Sequence, residues 1–434
     1  MSLATIVLLA ATLILLLAGV WVGAALGLAA FLAVLSHEGG APFGGFAYAA
    51  WNGINNPVLT AVPLFLLMGQ AVLRTGISAD FYRALALWLE RAPGGLLQTN
   101  IVASGVFSAI AGNSVATAAT ISEVAYPELK RRNYSTKLSV GSLAGGGTLG
   151  ILIPPSIPLI LYAALVSVSV VDLFAAAIVP GLLLLLAFMV YVAVAHRRNP
   201  VVPDPATASP DAEAITWSHR VTALRDLVPL GILIVVVLGG IYAGVVTVTE
   251  ASALGAVGAL LIAAVMRKLT LSKLWQILRR TAEVTAMIML IIVGAHMLSY
   301  ALAITGGARE LAAVITDMAP NKTVFLILVY VLFLFLGLFM EGISMMLLTM
   351  PILFPLLQLY EVDLVWFAIV MVILIEIGLI TPPVGVNLFI LQGVSKEPLG
   401  VIFRGAFPYV LIMLGAVGVL TLFPEIVLWL PGRS

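Results

Sequence analysis

Long apolar runs, separated by short polar stretches, dominate the pattern along this chain. A helix needs about 20 apolar residues to cross the hydrocarbon core of a bilayer. The runs that approach or exceed this length are 3–35, 58–73, 138–167, 170–195, 226–246, 249–266, 281–304, 364–393 and 400–423. The first, third and eighth runs are too long for one straight span, so each is predicted to tilt, break or cross twice. The pattern predicts an all-α polytopic membrane protein.

Composition and charge narrow the class further. Of the 434 residues, 62% are hydrophobic and 9% are charged, whereas soluble domains carry about 25% charged residues. The net charge of +1 indicates little about partners, but the lack of a basic stripe indicates no nucleic-acid partner. Because the chain contains no cysteine, disulfides, thiolate metal sites and cysteine nucleophiles are excluded. The apolar N-terminus has no Lys/Arg region before it, so we interpret it as a retained span in an inner membrane.

Basic residues predict which ends of the spans face the cytoplasm. Three clusters of basic residues follow one another along the chain. Two apolar segments lie between each cluster and the next, so all three clusters can lie on the cytoplasmic side. They are 130–137, 196–198 and 267–280. The polar segment 199–220 falls on the same side and is interpreted as a flexible linker between two halves. Two amphipathic pieces, 79–91 and 270–280, combine Trp with basic residues, a mix that is typical of helices in the membrane interface.

The two halves resemble each other when one is shifted by 228 positions. The shift places prolines on prolines at four positions and Gly150 on Gly378. The proline pairs are Pro127 with Pro355, Pro154 with Pro382, Pro155 with Pro383, and Pro180 with Pro408. The segment after the first copy of the motif is basic and its counterpart is acidic, so the copies are predicted to be inverted repeats. Such repeats are common in secondary transporters, which bind their substrate at the repeat interface near the midplane.

The paired prolines predict two broken helices. Gly145–Gly150 leads into Pro154-Pro155, and Glu376-Ile377-Gly378 leads into Pro382-Pro383. Two adjacent prolines remove two amide donors and clash with the preceding turn. Irregular backbone at this depth is tolerated only where protein buries it or where it lines a wet cavity. Its free carbonyls can bind a cation, and the new helix N-terminus can attract a carboxylate. The alternative interpretation is a proline kink that serves packing alone.

Two interrupted apolar segments, 96–128 and 323–356, predict re-entrant hairpins. Their centres read Gly112-Asn113-Ser114 and Glu341-Gly342-Ile343-Ser344. A turn inside the membrane requires glycine for unusual backbone angles, and polar side chains to bond loose backbone groups. A Ser/Gly-lined interface between helices is the alternative.

Two carboxylates lie at the interruptions themselves, Glu341 at a hairpin tip and Glu376 just before the second break. A charge at bilayer depth costs about 2.5–3.5 kcal/mol on insertion scales. Each is therefore a candidate to bind a cation, carry a proton or cap a helix, and the alternative is a hydrogen-bonded structural carboxyl.

These motifs together resemble the large membrane subunit of tripartite ATP-independent periplasmic (TRAP) transporters, and the resemblance covers nearly the whole chain. The segments that carry it are Gly112–Ala119, Ile153–Pro158, Ile178–Gly181, Glu376–Leu388 and Leu422–Pro431. The chain differs from the family pattern at the tips, which read Gly-Asn-Ser and contain Glu341 in place of Asp.

The resemblance implies a sodium-coupled, elevator-type importer of a small organic anion in a bacterial or archaeal inner membrane. It implies a separate small four-helix membrane subunit and a periplasmic solute-binding protein as partners. Sodium would be bound by residues of the tips and breaks: Asn113, Ser114, Thr148, Pro154, Ser156, Glu341, Gly342, Glu376, Thr381 and Pro382. The substrate would be bound by Asn113, Ser114, Ser156, Gly342, Ser344 and Asn387, the last of which also belongs to the second predicted sodium site.

We expect two modules. A transport module comprises 51–168 and 281–398, and a scaffold comprises 1–50, 169–280 and 399–434. The main alternative is a single-component sodium/dicarboxylate carrier of related architecture. An ion channel is a second alternative. An intramembrane enzyme is disfavoured because the spans contain no Ser–His pairing, HExxH motif or Asp pair. No nucleotide-binding loop is found, which agrees with a sodium gradient as the expected driving force.

Overall fold

The computed structural model describes residues 2–37, 44–198 and 217–431, and within these ranges the secondary structure is helical, without β-strands. Each helix is named here by its order along the chain. The helices are α1 Leu3–Leu17, α2 Val22–Leu35, α3 Gly44–Ile54, α4 Pro57–Thr75, α5 Ile77–Leu89, α6 Leu96–Ala111, α7 Ser114–Arg131, α8 Thr136–Gly147, α9 Ile157–Val166, α10 Val170–Arg198, α11 Trp217–Tyr242, α12 Val248–Val265, α13 Leu271–Ile304, α14 Gly307–Met318, α15 Lys322–Gly337, α16 Gly342–Leu359, α17 Leu364–Leu379, α18 Val386–Ser395, α19 Leu399–Leu422 and α20 Glu425–Leu428.

The three over-long apolar runs are each divided into two helices, as predicted. The run 3–35 forms α1 and α2, the run 138–167 forms most of α8 and α9, and the run 364–393 forms α17 and most of α18. Among the described residues, seven helices are long and apolar enough to cross a membrane. The pair α14 and α15 is bent by 109° at its junction. The chain is therefore a polytopic helical protein with several interrupted spans.

Helix boundaries recur with the same offset that relates the two halves of the sequence. Adding 228 to the first residues of α7 and α8, Ser114 and Thr136, gives Gly342 and Leu364, the first residues of α16 and α17. Ile157, the first residue of α9, corresponds to 385, one position before α18 begins. The repeat predicted from the prolines thus extends to the secondary structure of both halves.

Helix α17 forms the centre of the fold. Every residue from Trp366 to Leu379 is buried, as expected for a helix that is apolar on all faces. The Trp366 indole donates to the Leu420 carbonyl over 2.8 Å, and the Tyr162 hydroxyl donates to the Leu364 carbonyl over 2.8 Å. By contrast, α1, α10 and α11 leave many large apolar side chains exposed on their outer faces. Those faces are suited to contact lipid.

Helix α5 connects the first and third basic clusters. Asp80 in its first turn pairs with Lys268, and Glu90 after its last residue pairs with Arg132 over 3.2 Å. This bridging agrees with the prediction that both clusters lie on one side of the membrane.

The second basic cluster lies at the end of α10, where the His196 ring stacks on Tyr134 with centroids 6.1 Å apart. The predicted linker 199–220 follows it. Residues 199–216 lie outside the described residues, but 217–220 form the first turn of α11, so the linker prediction was wrong there. The polar composition of this stretch continues into a helix that becomes apolar only farther along.

The predicted interfacial piece at 270–280 is not a separate helix. It is continuous with the following span in the 34-residue helix α13, which also crosses the boundary at 280/281 between the two predicted modules. No glycine or proline lies between residues 270 and 293, so nothing near the boundary at 280/281 would end the helix. The piece at 79–91 corresponds largely to the separate helix α5.

We predict that Gly141→Ala destabilises the protein. Helices α8 and α19 approach so closely that a methyl group at Gly141 would overlap the backbone carbonyl of Gly405. Overpacking of this kind costs about 1–3 kcal/mol, measured as a lower Tm in detergent. Gly418→Ala, on α19 with open space around it, is the control and should leave Tm equal or slightly higher. Equal Tm values for both variants would contradict the close packing.

Candidate ion and substrate site

The first hairpin turns inside the protein at Gly112 and Asn113. Gly112 adopts a left-handed conformation with φ +57°, as its predicted role in a turn requires. The Asn113 side-chain oxygen accepts from the Ala116 amide over 3.0 Å, so it caps α7, which begins at Ser114. The predicted hairpin tip is therefore the N-capped beginning of helix α7.

The first break separates α8 from α9. Helix α8 leads into a 3-10 turn, Thr148–Ile151, and the Pro154–Pro155 bond is cis. The chain becomes helical again after Ser156, whose hydroxyl donates to the Ile151 carbonyl over 2.5 Å and accepts from the Leu159 amide over 3.5 Å. The Ser156 hydroxyl thus satisfies backbone groups on both sides of the break.

The second hairpin has the same construction with different residues. Glu341 precedes α16 and its carboxylate accepts from the Ser344 amide over 3.2 Å. Asn113 and Glu341, which correspond under the 228 shift, are therefore both N-caps. Gly342, predicted to need unusual backbone angles, is not among the residues with positive φ but is the first residue of α16. This expectation was wrong, and Gly342 instead allows close packing against Ile375.

The second break separates α17 from α18. The Pro382–Pro383 bond is cis, and Gly385 with φ +48° precedes the first residue of α18. The Thr381 hydroxyl donates to the Ile377 carbonyl over 2.6 Å. Both pairs of prolines predicted to interrupt a helix are thus found in non-helical connections.

Each hairpin tip is docked on the break of its own half. The Ile157 amide donates to the Gly112 carbonyl over 3.4 Å, and the Val384 amide donates to the Leu338 carbonyl over 3.1 Å. Gly150 packs so closely on the first tip that a methyl group there would overlap Ser114. Backbone groups freed by the interruptions are therefore bonded to each other, as burial at this depth requires.

Ser114 joins the first tip to both breaks. Its hydroxyl lies 2.9 Å from the Gly147 carbonyl and 2.9 Å from a Glu376 carboxylate oxygen, either of which can accept its single hydrogen. It also accepts from the Asn387 amide nitrogen over 2.8 Å. The backbone of Ile151 lies against the same carboxyl. Side chains 262 and 273 positions from Ser114 thus converge on one hydroxyl group.

Two oxygens of this cluster have no hydrogen-bond partner among the described residues. They are the second Glu376 oxygen and the Asn387 side-chain oxygen. Both side chains are almost completely buried, with 1% and 0% of their surface exposed. A buried acceptor without a donor costs about 1–3 kcal/mol, and more if it is charged. The pair therefore offers two free oxygen ligands in the interior.

A narrow crevice of about 10 Å³ lies beside the cluster and is lined by both halves of the chain. The two tips contribute Asn113–Val115 and Glu341–Ile343, and the breaks contribute Ile151, Pro158 and Leu379. Ile151 and Leu379 correspond under the 228 shift, so the repeat places equivalent positions at the same crevice. No Lys or Arg is among the lining residues.

The structure brings together some of the predicted site residues and not others. Ser114, Glu376 and Asn387 are in direct contact, and Asn113, Glu341 and Gly342 line the crevice. Ser344 reaches the site only through Glu341. The hydroxyls of Thr148, Ser156 and Thr381 bond to nearby carbonyls of their own segments. Pro154 and Pro382 lie in the connections. The prediction missed Gly147, Ile151, Pro158 and Leu379, three of which are apolar and carry no chemical signal beyond their position near a break.

Comparison with known proteins places the chain in a family. Residues 9–426 match the family described as "Tripartite ATP-independent periplasmic transporter, DctM component". The chain belongs to the DctM family. Members are transporter permeases rather than enzymes, so this DctM-family chain is a multi-pass permease of the inner membrane. The predicted resemblance to the large TRAP subunit is confirmed.

Individual relatives agree with this placement. The chain is 34% identical over 376 residues to the C4-dicarboxylate TRAP transporter large permease protein DctM of Pseudomonas aeruginosa, covering 86% of each chain. It is 30% identical over 403 residues to the sialic acid TRAP transporter large permease protein SiaM of Vibrio cholerae, covering 93% of this chain and 92% of that one.

The fold also resembles a solved transporter structure, that of the Alcanivorax borkumensis YdaH transporter. The TM-score is 0.60 over 88% of each chain, with 16% sequence identity. At this identity the likeness concerns the fold alone.

We predict that cysteines at Leu338 and Val384 form a disulfide. Their backbone hydrogen bond places the Cα atoms on the order of 5–6 Å apart, within the range that a disulfide spans. Since the native chain has no cysteine, mild oxidation should produce one cross-linked peptide pair, detected by mass spectrometry. The two single variants serve as controls. A double variant that stays reduced under oxidation would show that the tip and the break are not docked.

Proposed function

We propose that the chain imports a small organic anion by sodium-coupled symport. Permeases of this family work with a small membrane subunit and a periplasmic binding protein. For this chain we propose a separate small four-helix membrane subunit and a soluble binding protein that delivers a carboxylate such as a C4-dicarboxylate or a sugar acid. Relatives whose names refer to C4-dicarboxylate and sialic acid support this substrate class.

The observation that carries the proposal is the pair of unpartnered oxygens on Glu376 and Asn387. Sodium is a hard cation that binds oxygen ligands, and interrupted helices supply them in many transporters. The Glu376 carboxylate provides charge, the Asn387 carbonyl a neutral ligand, and Ser114 holds both side chains in place. These residues fit a sodium ion. Asn113, Glu341 and Gly342 are candidates for further contacts from the crevice.

Charge in the crevice favours binding of the cation before the anion. Glu341 lines the crevice, Glu376 lies behind Ser114 in the adjoining cluster, and no basic side chain is among the described lining residues. An anion entering an empty crevice would meet Glu341 in its lining, with Glu376 nearby, in a poorly screened interior where like charges repel strongly. Sodium at the Glu376 cluster would offset one of these two negative charges. The N-termini of α7 and α16 then offer amide groups and a favourable dipole to the substrate carboxylate.

Transport requires the loaded site to face each side of the membrane in turn. We propose that the hairpins and broken helices move together against the remaining helices, as in an elevator. Ser114 donates to Glu376 and accepts from Asn387, and these hydrogen bonds join elements of both halves, so they support movement as one body. The continuous helix α13 would connect the moving and fixed parts, since it crosses the boundary at 280/281.

We predict that Glu376→Gln raises the sodium concentration for half-maximal uptake by about tenfold or more. Loss of one charged ligand to a buried ion is worth at least about 1.4 kcal/mol, a factor of ten. Uptake is measured in proteoliposomes that contain the complete transporter. Glu361→Gln, the same change at an exposed residue, is the control and should leave the sodium dependence unchanged. Identical sodium curves for both variants would exclude Glu376 as a ligand.

Ser114→Ala should weaken sodium dependence more than Thr381→Ala. Ser114 bonds directly to Glu376 and Asn387, whereas the Thr381 hydroxyl bonds to its own helix. The half-saturating sodium concentrations of the two variants test this order. A larger effect at Thr381 would shift the proposed ion site to the second break.

The single-component carrier is separated from the tripartite transporter by reconstitution. We expect no uptake of free anion by the chain alone, and uptake when the small subunit and the loaded binding protein are added. Uptake by the chain alone, at a rate comparable to that of the complete transporter, would favour the single-component carrier.

A further inference from the structure

Arg220 is a buried arginine that has no counter-ion among residues 2–37, 44–198 and 217–431. It lies in the first turn of α11, where only 6% of its surface is exposed. Its Nε has no hydrogen-bond partner, and no ion pair of Arg220 is found in the part of the chain that the structure describes. An isolated buried charge is costly, so buried charges in proteins are normally paired.

The described acidic residues at the two ends of helix α5 are already engaged in ion pairs. Helix α11 packs against α5, whose Asp80 pairs with Lys268 and Arg83, while Glu90 pairs with Arg132. On α11 itself, the next acidic residue is Asp226, six positions away, which a helix places on a different face. Arg220 therefore has no carboxylate available on either helix.

A second buried donor faces the same interface. The Trp88 indole nitrogen is buried and has no acceptor among the described residues. Its ring meets the Trp217 ring edge-on, with centroids 5.9 Å apart. Arg220 follows Trp217 by three positions, so it lies on the same face of α11 one turn farther along. The α5–α11 interface thus contains two unsatisfied nitrogen donors, a pattern that calls for an anionic acceptor.

The surroundings of this interface indicate where the anion comes from. Trp217, Val221 and Val228 expose 67%, 49% and 51% of their surfaces on the outside of α11. Such a face is suited to lipid, and exposed Trp is typical of the level of the headgroups. The basic clusters at Arg132 and Lys268 belong to the same end of the molecule through their contacts with α5.

We propose that the α5–α11 interface binds the phosphate of a membrane phospholipid. The Arg220 guanidinium would donate to two phosphate oxygens in a bidentate pair, and the Trp88 indole N–H would donate to a third. The N-terminus of the 26-residue helix α11 adds a favourable dipole for the negative charge. The acyl chains would lie along the exposed apolar face of α11. The bound lipid would hold α5, α11 and the adjoining basic clusters together.

Lipid titration of the purified full-length chain tests this site. Three probes are added to delipidated protein in detergent: phosphatidylglycerol, dioleoylglycerol, which lacks the phosphate, and inorganic phosphate. Binding is measured by native mass spectrometry and by the shift in Tm. We expect phosphatidylglycerol to bind and raise Tm, and the other two to have little effect at equal concentrations.

The variants locate the binding. Arg220→Gln should weaken phosphatidylglycerol binding by about tenfold, as expected for loss of a charged hydrogen-bond donor. Trp88→Phe, which keeps the ring contact and removes the N–H, should weaken it by a smaller factor of about three to five. Arg225→Gln, an exposed arginine on the same helix, is the matched control and should bind like the native chain.

The outcomes separate the possible ligands. Equal binding of phosphatidylglycerol by Arg220→Gln and the native chain would overturn the proposal, as would equal weakening by Arg225→Gln. If inorganic phosphate raises the Tm of the native chain as much as phosphatidylglycerol does, the ligand is a free anion and a lipid headgroup is excluded. If Arg220→Gln does not fold, the native chain with its three probes and Trp88→Phe still decide the question.

Discussion

The structure depends on the requirement that polar backbone groups inside a membrane find partners within the protein. Four interruptions of helical structure, at two hairpin tips and two breaks, free amides and carbonyls at depths where water is scarce. The chain satisfies them by placing the interruptions against each other. Gly112 pairs with Ile157 and Leu338 pairs with Val384, while a side-chain N-cap follows each tip. Each interruption is tolerated because another one lies beside it.

The same arrangement brings the candidate ion-binding side chains together, because the contacts that satisfy the backbone amides and carbonyls also place these side chains next to one another. Ser114 begins a helix after the first tip, and its position there brings its hydroxyl within reach of Glu376 and Asn387 on either side of the second break. A single hydroxyl thereby connects the two halves of the molecule. In the proposed transport cycle, an ion bound at this cluster would influence both tips and both breaks together, which is what coupling to substrate requires.

Four of the buried side-chain atoms without a hydrogen-bond partner among the described residues lie in two regions of opposite character. The central cluster has spare oxygens on Glu376 and Asn387, whereas the α5–α11 interface has spare nitrogens on Trp88 and Arg220. Oxygens require a cation or a donor, and nitrogens require an anion or an acceptor. The two proposals, an ion in the interior and a phosphate at the membrane surface, follow from this division. They concern separate sites and stand independently of each other.

Sequence patterns were sufficient for the spans, the repeat and the family because these depend on local rules. Paired prolines cannot continue a helix wherever they occur, and an apolar run longer than a bilayer must be interrupted. The same rules identified Asn113, Ser114 and Glu341 as residues of interrupted segments. They could not identify which residues meet, because Ser114 contacts partners more than 260 positions away. Convergence of the breaks, the roles of Ile151 and Leu379 at the crevice, and the continuity of α13 across a predicted boundary arise from packing between distant segments, which no local pattern encodes.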